Sequence, residues 1–462
     1  MPDRAGQPRR RPRWGLIGAA AVLALAVLGG GAWAAVNALG PDEVEGSATV
    51  EFIPETEPAA TVEFIPETEP AAPATTSAAP DPAQPWPTYG FDDARTRVNP
   101  ALEHRPPYAE EWRFRSKSLL EFPPVVADGR LFVGQLRGRF YAVNTGTGGT
   151  IWEKDTGHCS AASPAYADGV VYAGFLAYHP CPKGEFQDGG FVVAWDAASG
   201  EELWRVEMAP VESSPLVVDG VVYVAAWDAR VYALDARTGA EIWSTELDAQ
   251  IVASATWIDP VQAGGRAAIT IGTNGGSLYS LDAETGAINW QARSNDTLGW
   301  GREYFYATPA VAYGRVFVGN TDGWMYAFGA ESGRLLWAKQ AGSYVYTAAA
   351  VDDETVYIGT YDGFVIAYDA ATGAENWRLE MPGAIHGAPT LMAGLLYVST
   401  CSGCGQNGVR EAKRGPDATY AIDIATREVV WEYPAGKYAP IVADEERVYL
   451  VGTGVIFGLK PS

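Results

Sequence analysis

One phrase recurs along most of the chain: two strand-like runs, the second ending in Tyr-Ala-x-Asp, then x-x-Thr-Gly and a Trp. Two close copies are VVYVAAWDARVYALDARTGAEIW, which ends at Trp243, and TVYIGTYDGFVIAYDAATGAENW, which ends at Trp377. Looser copies end at Trp152, Trp204, Trp290, Trp337 and Trp431, and Trp112 has a similar setting with no copy before it. Steps between successive Trp residues are 40, 52, 39, 47, 47, 40 and 54 residues. This period is typical of one four-stranded blade, so the sequence predicts a β-propeller.

Each repeat is interpreted as four short strands, named a to d, with turn residues between them. The strand runs are apolar, β-branched or aromatic and too short for helices, as in Val221–Val224. Asp-Gly pairs, which favour two-residue hairpins, separate a from b at Asp128, Asp168 and Asp219. An Asp-x-x-Thr/Ser-Gly turn follows strand c at Asp196, Asp235, Asp282 and Asp369. The Trp then falls on outer strand d, where we expect its ring to wedge between blades.

The number of blades follows from the two ends of the repeat region. Seven complete units run from residue 123 to Trp431. Strands a, b and c follow at residues 440–443, 447–451 and 455–459 without a strand d, whereas Trp112 marks a strand d without a, b or c. Joining the two ends makes an eighth blade and leaves no open edge. We therefore predict an all-β, eight-bladed propeller of four-stranded blades over residues 86–462.

The phrase Tyr-Ala-x-Asp-x-x-Thr-Gly-x-x-x-Trp resembles the repeat of the PQQ-like propeller family, within the quinoprotein alcohol dehydrogenase-like superfamily. The family also includes the propeller lipoprotein of the outer-membrane β-barrel assembly machinery. The resemblance covers most of residues 85–462 and implies the propeller fold. It does not imply one function, because this scaffold carries many unrelated sites. No Cys follows the N-terminal apolar segment, so the lipid-attachment site of the assembly lipoprotein has no counterpart.

The N-terminus predicts a targeting or anchoring segment. The Arg-rich residues 9–13 precede residues 14–39, which carry no charge and are long enough to span a bilayer. We expect a basic cytoplasmic stretch at residues 1–13, one transmembrane helix at residues 14–39 and an extracytoplasmic propeller. The alternative is a cleaved signal peptide and a secreted propeller, since Ala32-Trp33-Ala34 resembles a cleavage site.

Residues 41–85 have the composition of a disordered linker. They are rich in Pro, Glu, Ala and Thr, and ATVEFIPETEPA occurs twice, at residues 48–59 and 60–71. The formal net charge of the chain is −23, although residues 1–13 carry five Arg and one Asp. The rest is therefore strongly acidic, which argues against nucleic acid as a partner and fits a soluble, monomeric propeller.

All four cysteines lie in two local pairs. Cys159 falls in the d-to-a connection before blade 2, and Cys181 in the long b-to-c insertion of that blade, residues 175–190. Cys401 and Cys404 form C-S-G-C in the b-to-c insertion of blade 7, residues 400–417. Both kinds of connection emerge at one face, and an exported chain with an even number of Cys favours disulfides within each pair. A redox or zinc site is the alternative for the C-x-x-C motif.

The family resemblance raises the question of a quinoprotein dehydrogenase, which binds PQQ and Ca²⁺ at the propeller face and uses an Asp as base. The adjacent Cys-Cys pair of those enzymes is absent here, and no Glu/Asn/Asp set matches their Ca²⁺ and base positions. Nor does the sequence contain a Ser/His/Asp set, a phosphate loop or an HExxH motif. We predict no catalytic residues, no metal and no cofactor, with PQQ and Ca²⁺ as the alternative.

Residues near the start of each strand a are expected to line a funnel at the face of the d-to-a and b-to-c connections. These candidate ligand-binding residues are His158, Glu212, Tyr304, Tyr306, Tyr344, Tyr346 and His386. Aromatic rings, two imidazoles and a carboxylate suit a peptide or a small polar ligand. The alternative is that the Tyr and His side chains simply plug the mouth of the channel.

These observations favour a membrane-anchored, non-catalytic binding or scaffolding module. We expect its partner, a protein or a cell-envelope polymer, to contact the loop face, and the lipid bilayer to hold the N-terminal helix. The alternative function is a PQQ- and Ca²⁺-dependent dehydrogenase. A sensor ectodomain is disfavoured, because the 13 residues before the apolar segment contain no output domain.

The predicted orientation can be tested with protease added to intact cells. Because the Arg-rich flank should stay cytoplasmic, the propeller should be released by cleavage within residues 41–85. Immunoblotting with a C-terminal epitope measures this release. Full protection of the epitope, in cells whose other surface proteins are digested, would contradict the predicted topology.

Overall fold

The computed structural model describes residues 85–178, 181, 189–294, 304–404, 412–439 and 441–462, and these form an all-β, eight-bladed propeller. The predicted closure is confirmed: β1 (Tyr108–Arg115) pairs with β33 (Val455–Pro461) from Tyr108 opposite Pro461 to Arg115 opposite Val455. The predicted cytoplasmic stretch, anchor and nearly all of the predicted linker lie outside the described residues. Within the described ranges, no helix is long and apolar enough to cross a membrane.

The blades follow one another along the chain, with the innermost strand first in each. Blade 1 consists of β2 (Val125–Ala127), β3 (Arg130–Gly134), β4 (Arg139–Asn144) and β5 (Thr150–Asp155), and blade 2 of β6 (Ala165–Ala167), β7 (Val170–Phe175), β8 (Gly190–Asp196) and β9 (Glu202–Met208). Blade 3 consists of β10 (Leu216–Val218), β11 (Val221–Ala225), β12 (Arg230–Asp235) and β13 (Glu241–Glu246), and blade 4 of β14 (Thr256–Ile258), β15 (Ala268–Gly272), β16 (Ser277–Asp282) and β17 (Ile288–Arg293).

The second half of the ring continues in the same order. Blade 5 consists of β18 (Ala310–Ala312), β19 (Arg315–Gly319), β20 (Trp324–Gly329) and β21 (Leu335–Gln340), and blade 6 of β22 (Ala350–Asp352), β23 (Thr355–Gly359), β24 (Phe364–Asp369) and β25 (Glu375–Glu380). Blade 7 consists of β26 (Ala384–Ile385), β27 (Thr390–Met392), β28 (Leu395–Cys401), β29 (Ala418–Asp423) and β30 (Glu428–Tyr433). Blade 8 consists of β31 (Val442–Ala443), β32 (Val448–Val451), β33 and β1.

Blade 7 differs from the predicted four-stranded pattern by its fifth strand. Its strand β28 is longer than strand b of the neighbouring blades. The extra residues Thr400 and Cys401 pair with Ile385 and Ala384 of the preceding connection. The additional strand β26 is therefore a short extension of the blade at the face of the b-to-c insertions.

The turns adopt the conformations that their sequences favour. In the first Asp-Gly hairpin, Asp128 and Gly129 both have positive φ, 50° and 68°, as a type I′ turn requires. In the turn after β12, the Asp235 carboxylate accepts hydrogen bonds from the Thr238 backbone N–H (2.8 Å) and hydroxyl (2.6 Å). Both turn types are local, which explains why the sequence predicts them.

The apolar core lies between blades, and each of the eight interfaces has its own buried cluster. Between blades 3 and 4, for example, Tyr223 and Trp243 pack against Ile269, Ile271 and Tyr279. Residues that alternate along a strand point to opposite faces of the blade, so each strand contributes to two neighbouring interfaces. The blades are thus stabilised mainly by their neighbours.

The repeated Trp connects each blade to the next through two contacts. The Trp243 indole N–H donates to the backbone carbonyl of Ala283 in the blade 4 turn (3.0 Å). Its ring lies against Gly286 of the same turn, where an added Cβ would come within 2.6 Å of the ring. Trp112, Trp152, Trp204, Trp290 and Trp337 donate in the same way to Thr145, Ala197, Ala236, Ala330 and Ala370. The turn glycine therefore supplies both a positive φ and the space for the ring.

Trp377 and Trp431 lack this hydrogen bond among the described residues, and the turn that each one faces explains the difference. Trp377 faces the blade 7 turn, where Arg427, with φ of 65°, takes the place of the glycine. Trp431 faces blade 8, whose strands β33 and β1 come from opposite ends of the chain and share no turn. Trp431 packs instead against the edge of Tyr108, with 5.2 Å between ring centroids.

Residues 85–99, here called the central segment, run along the inner strands. They fall within the predicted propeller range, but no strand was predicted for them. Their backbone carbonyls accept hydrogen bonds from N–H groups of strands a in six blades. The donors are Val126, Tyr166, Trp257, Val311, Val351 and Leu391, and the acceptors are Trp86, Pro87, Asp93, Ala94, Thr96 and Arg97. The segment thereby satisfies backbone donors that would otherwise face the axis of the propeller unpaired.

Two arginines of the central segment are buried. The Arg95 guanidinium donates to the backbone carbonyls of Tyr89, Pro215 and Ala255 and to the Thr88 hydroxyl. Burial lowers the pKa of Arg95 to about 10, and the nearby Asp93 carboxylate opposes this shift. Arg97 lies 4.2 Å from the centroid of the Tyr89 ring, within the range of a cation–π contact. A guanidinium has five donors and can therefore serve several converging carbonyls at once.

The role of the turn glycine can be tested by comparing Gly286→Ala with Gly220→Ala. Both glycines have positive φ, 72° and 78°, so both substitutions should cost about 1–2 kcal/mol of backbone strain. Only at Gly286 would the new methyl group also meet the Trp243 ring, which should cost about 1–3 kcal/mol more. Denaturant unfolding of the two variants measures this difference. Equal destabilisation would show that the ring contact is unimportant.

Candidate functional site

A cavity opens along the axis at the face of the d-to-a and b-to-c connections. Its lining residues are Tyr89, Glu121, Phe122, Pro123, Glu212, Val252, Ser254, Tyr306, Thr308, Tyr346, Thr347, Ala348, His386, Ala388 and Tyr438. Tyr89 comes from the central segment and the others from d-to-a connections. The cavity has a volume of about 50 Å³, which accommodates a few water molecules.

The chain begins its described part at the opposite face. Pro85 lines a shallow recess together with Gly129, Asn144 and Asp444. These three residues belong to a-to-b and c-to-d turns. Residue 85 and the cavity mouth therefore lie at opposite faces of the propeller.

Six of the fifteen lining residues share one position of the repeat. This position lies three residues before the residue that leads into strand a. It is occupied by Glu121, Glu212, Val252, Tyr306, Tyr346 and His386. The residues that lead into strand a are, in the same order, Pro124, Pro215, Ala255, Pro309, Ala349 and Pro389. Equivalent positions in a propeller lie at the same height around the axis. The fold thus brings together side chains that are far apart in sequence.

Glu212 is hydrogen-bonded by both of its oxygens. Oε1 accepts from the Tyr306 hydroxyl (2.9 Å) and Oε2 from the Trp227 indole N–H (3.0 Å). Burial nevertheless raises the pKa of Glu212 to about 7, and the Glu121 carboxylate adds to this rise. Burial also raises the pKa of Glu121, which has no hydrogen-bond donor or ion-pair partner among the described residues.

An arc of aromatic rings faces the two carboxylates. Ring centroids are 4.9 Å apart for Tyr306 and Tyr346, 5.9 Å for Tyr346 and His386, and 5.1 Å for His386 and Tyr438. His386 Nδ1 is hydrogen-bonded to the Tyr361 hydroxyl. Burial lowers the pKa of His386 to about 4, so the imidazole is neutral at neutral pH. The arc therefore contributes rings and hydroxyl groups but no charge.

The structure separates the seven predicted ligand-binding residues into two groups. Glu212, Tyr306, Tyr346 and His386 line the cavity, whereas His158, Tyr304 and Tyr344 do not. Tyr304 and Tyr344 lie two residues before the lining residues Tyr306 and Tyr346. His158 lies three residues before Ala161, which is the residue equivalent to Tyr306 in the connection that leads into blade 2. The His158 ring is buried against Tyr178, with 3.7 Å between centroids, and Nδ1 contacts the Thr156 carbonyl (2.9 Å).

Glu121, Phe122, Tyr438 and Tyr89 also line the cavity but were not predicted. Glu121 occupies the same repeat position as Glu212, so aligning the connections by the residue before strand a would have identified it. Tyr89 gives no such signal, because the central segment carries no repeat.

Both predicted disulfides are confirmed, and both lie at the cavity face. Cys159 and Cys181 are bonded, as are Cys401 and Cys404. The first joins a d-to-a connection to the b-to-c insertion of blade 2, and the second ties the end of β28 to the start of the blade 7 insertion. Cys159 also packs in a cluster with Leu176 and Trp227. The described residues contain no free cysteine.

The cavity does not fit PQQ and Ca²⁺. Ca²⁺ takes six to eight oxygen ligands, whereas the lining of the cavity offers only two carboxylates, those of Glu121 and Glu212. Within the described ranges, no group of three or more His, Cys, Asp or Glu side chains could hold a metal ion. Pockets for cofactor-sized ligands measure roughly 300 Å³ or more, several times the volume here.

The sequence matches a family model described as "Outer membrane protein assembly factor BamB" over residues 108–177, 186–256, 228–347 and 342–461. These matches cover more than half of the chain. The chain belongs to this family. The resemblance inferred from the repeats is thereby confirmed.

Individual relatives carry different functions in their names. "Outer membrane protein assembly factor BamB" of Salmonella typhimurium is 27% identical over 181 residues, 29% of this chain and 46% of that protein. "Quinohemoprotein alcohol dehydrogenase" of Comamonas testosteroni is 30% identical over 165 residues, 34% of this chain and 18% of that protein. The chain matches less than half the length of either relative.

A solved structure shows the same fold. BamB from Moraxella catarrhalis superposes with a TM-score of 0.60 and 17% sequence identity, covering 77% of this chain and all of that one. The likeness concerns the propeller scaffold. It does not imply a shared function, because one scaffold carries many unrelated sites.

The raised pKa of Glu212 predicts a specific pH dependence of stability. Between the usual value of 4.5 and about 7, the unfolded state releases its proton while the folded state keeps it, so stability falls as the pH rises. Glu212→Gln removes this dependence. Relative to the wild type, the variant should therefore gain up to about 3 kcal/mol between pH 4.5 and pH 8.

Denaturant unfolding across this pH range measures the effect. The matched control is Glu246→Gln, which changes an exposed glutamate paired with Arg230 and should leave the curve parallel to that of the wild type. If the free energy of unfolding of Glu212→Gln, plotted against pH, also runs parallel to that of the wild type, Glu212 titrates normally.

Proposed function

We propose that this protein is a membrane-anchored, extracytoplasmic propeller that acts as a non-catalytic binding or scaffolding module for a protein or cell-envelope polymer. The observation that carries the proposal is the construction of the cavity face. This face combines a small acidic and aromatic recess with two connections held by disulfides. Such a surface is suited to docking, because pre-ordered loops lose less entropy when a partner binds.

The position of residue 85 supports the same function. If residues 14–39 anchor the chain, the linker reaches the propeller at the face of the a-to-b and c-to-d turns. The entry of the chain into the propeller then leaves the cavity face open to a partner. The names of relatives such as "Outer membrane protein assembly factor BamB" fit an assembly role of this kind.

The second candidate is a PQQ- and Ca²⁺-dependent dehydrogenase, favoured by the match to the quinohemoprotein alcohol dehydrogenase. The volume and the donor set of the cavity argue against it. Dye reduction by the purified protein, supplied with PQQ, Ca²⁺ and a panel of alcohols, decides the matter. Quinone-dependent reduction that is lost in Glu212→Gln would overturn the proposal.

Site-specific photo-crosslinking in producing cells tests docking at the cavity face. A photoreactive phenylalanine replaces Tyr178, which is 66% exposed beside His158. The control position is Arg237, exposed in a c-to-d turn at the opposite face. We expect a discrete adduct from position 178 alone, identified by mass spectrometry. No adduct from position 178, or equal adducts from both positions, would contradict the proposal.

A further inference from the structure

The cavity combines negative charge with aromatic rings and contains no cationic side chain. Its fifteen lining residues include two glutamates but neither Lys nor Arg, and His386 is neutral at neutral pH. The cations beside the lining are Arg95 and Arg97, next to Tyr89, and Lys437, whose Nζ lies 5.1 Å from the centroid of the Tyr438 ring. None of the three is a cause of the raised pKa of Glu121 or Glu212. A ligand that complements the cavity electrostatically must therefore carry positive charge.

The two carboxylates retain hydrogen-bonding capacity. Each oxygen of Glu212 accepts one hydrogen bond from the protein, and a carboxylate oxygen can accept two. Glu121 accepts none from the described residues, yet it is buried enough for its pKa to be raised. Glu121 is half-buried, so its oxygens remain available to accept hydrogen bonds from a cation bound between the two glutamates.

The aromatic arc supplies the second half of a cation site. The Tyr306 hydroxyl contacts Glu212 directly (2.9 Å), and the rings of Tyr346, His386 and Tyr438 continue from Tyr306 around the mouth. Aromatic rings within about 6 Å of a cation attract it through their quadrupole, most strongly where water is excluded. Rings of this kind favour an organic ammonium over a hydrated metal ion.

Size narrows the choice of cation. A cavity of about 50 Å³ admits an ammonium group and its adjacent methylenes. Ca²⁺ requires six to eight oxygen ligands, more than two carboxylates supply. Guanidinium is planar and carries five donors, which makes it a poorer fit to a narrow recess. An ammonium has three donors on a compact head, and these match Glu121, Glu212 and a ring or hydroxyl of the arc.

We propose that the axial cavity binds a primary alkylammonium group, held by Glu121 and Glu212 and enclosed by Tyr306, Tyr346 and Tyr438. The group is either a lysine side chain inserted by a docked protein or a free aliphatic amine. The inference rests on the proposed binding function and names the chemistry that its central recess recognises.

Isothermal titration calorimetry of the purified propeller with butylammonium tests the site. The neutral control of similar size is n-butanol, and the metal control is Ca²⁺ alone. Butylammonium should bind, n-butanol should not, and Ca²⁺ should bind more weakly than butylammonium. No heat of binding with millimolar butylammonium, or equal binding of n-butanol, would overturn the proposal.

Glu121→Gln separates binding from folding. Because Glu121 has no partner to lose among the described residues, the variant should melt at or above the wild-type temperature. Its affinity for butylammonium should nevertheless fall by about tenfold, the loss of one charge-assisted contact. Glu246→Gln, on the exposed blade edge, should bind like the wild type. Unchanged affinity in both Glu121→Gln and Glu212→Gln would refute the assignment.

The pH profile gives an independent readout. The groups that titrate beside the ligand are Glu121 and Glu212, since His386, Tyr306 and Tyr346 stay neutral near neutral pH. The cations beside the lining rings are Arg95, Arg97 and Lys437. Affinity should rise by about tenfold per pH unit below the pKa of Glu212, about 7, and level off above it. A flat profile across this range would mean that neither carboxylate holds the cation.

A final comparison identifies the source of the ammonium. Tighter binding of Nα-acetyl-lysine methylamide than of butylammonium would indicate a protein lysine, and the reverse a free amine; both outcomes support the site. Crosslinking from position 178 reports docking separately. A discrete adduct at position 178 without butylammonium binding would refute the ammonium site alone. Butylammonium binding without an adduct at position 178 would refute the docking proposal and leave the ammonium site supported.

Discussion

The contact on which the ring depends is the tryptophan of one blade resting on the turn glycine of the next. The indole N–H donates to a turn carbonyl while the ring covers the glycine, so one side chain satisfies a buried acceptor and fills the space between two sheets. Six interfaces use this arrangement. Because it fixes how far each blade is rotated from its neighbour, it also fixes the diameter of the axial channel and the spacing of the side chains around the mouth.

The central segment solves a different problem, created by the ring itself. Eight inner strands directed at one axis present backbone donors that have no neighbouring strand. Backbone carbonyls of residues 86–97 accept hydrogen bonds from many of these donors. Arg95 in turn donates to the carbonyls of Pro215 and Ala255, which lead into the inner strands of blades 3 and 4. The burial of two guanidinium groups is the cost of this arrangement. The same segment places Tyr89 in the lining of the cavity.

The blades could be predicted from the sequence because their determinants are local and repeated. Asp-Gly hairpins, Asp-x-x-Thr-Gly turns and the Trp of strand d each act within one repeat or between adjacent ones. The cavity depends instead on register within connections of unequal length, which is why the sequence pattern indicates His158 rather than Ala161 and does not single out Glu121. The central segment had no sequence signal at all, because its contacts use mainly the backbone. The repeat is not uniform. Where Arg427, which has a Cβ, occupies the glycine position, the indole of Trp377 lacks the hydrogen bond that the equivalent Trp residues make among the described residues.

The closure of blade 8 also sets an order of events during synthesis. Strand β1 is synthesised near the beginning of the propeller, but its partner β33 is synthesised at its end. The acceptors at Ala94, Thr96 and Arg97 likewise wait for blades 5, 6 and 7. During translation, and any export that accompanies it, the first blades of the ring therefore have an unpaired edge at β1. The central segment meanwhile lacks the inner strands that will later donate hydrogen bonds to it. Such a chain needs either protection from premature pairing or folding that starts only after its last residues have arrived.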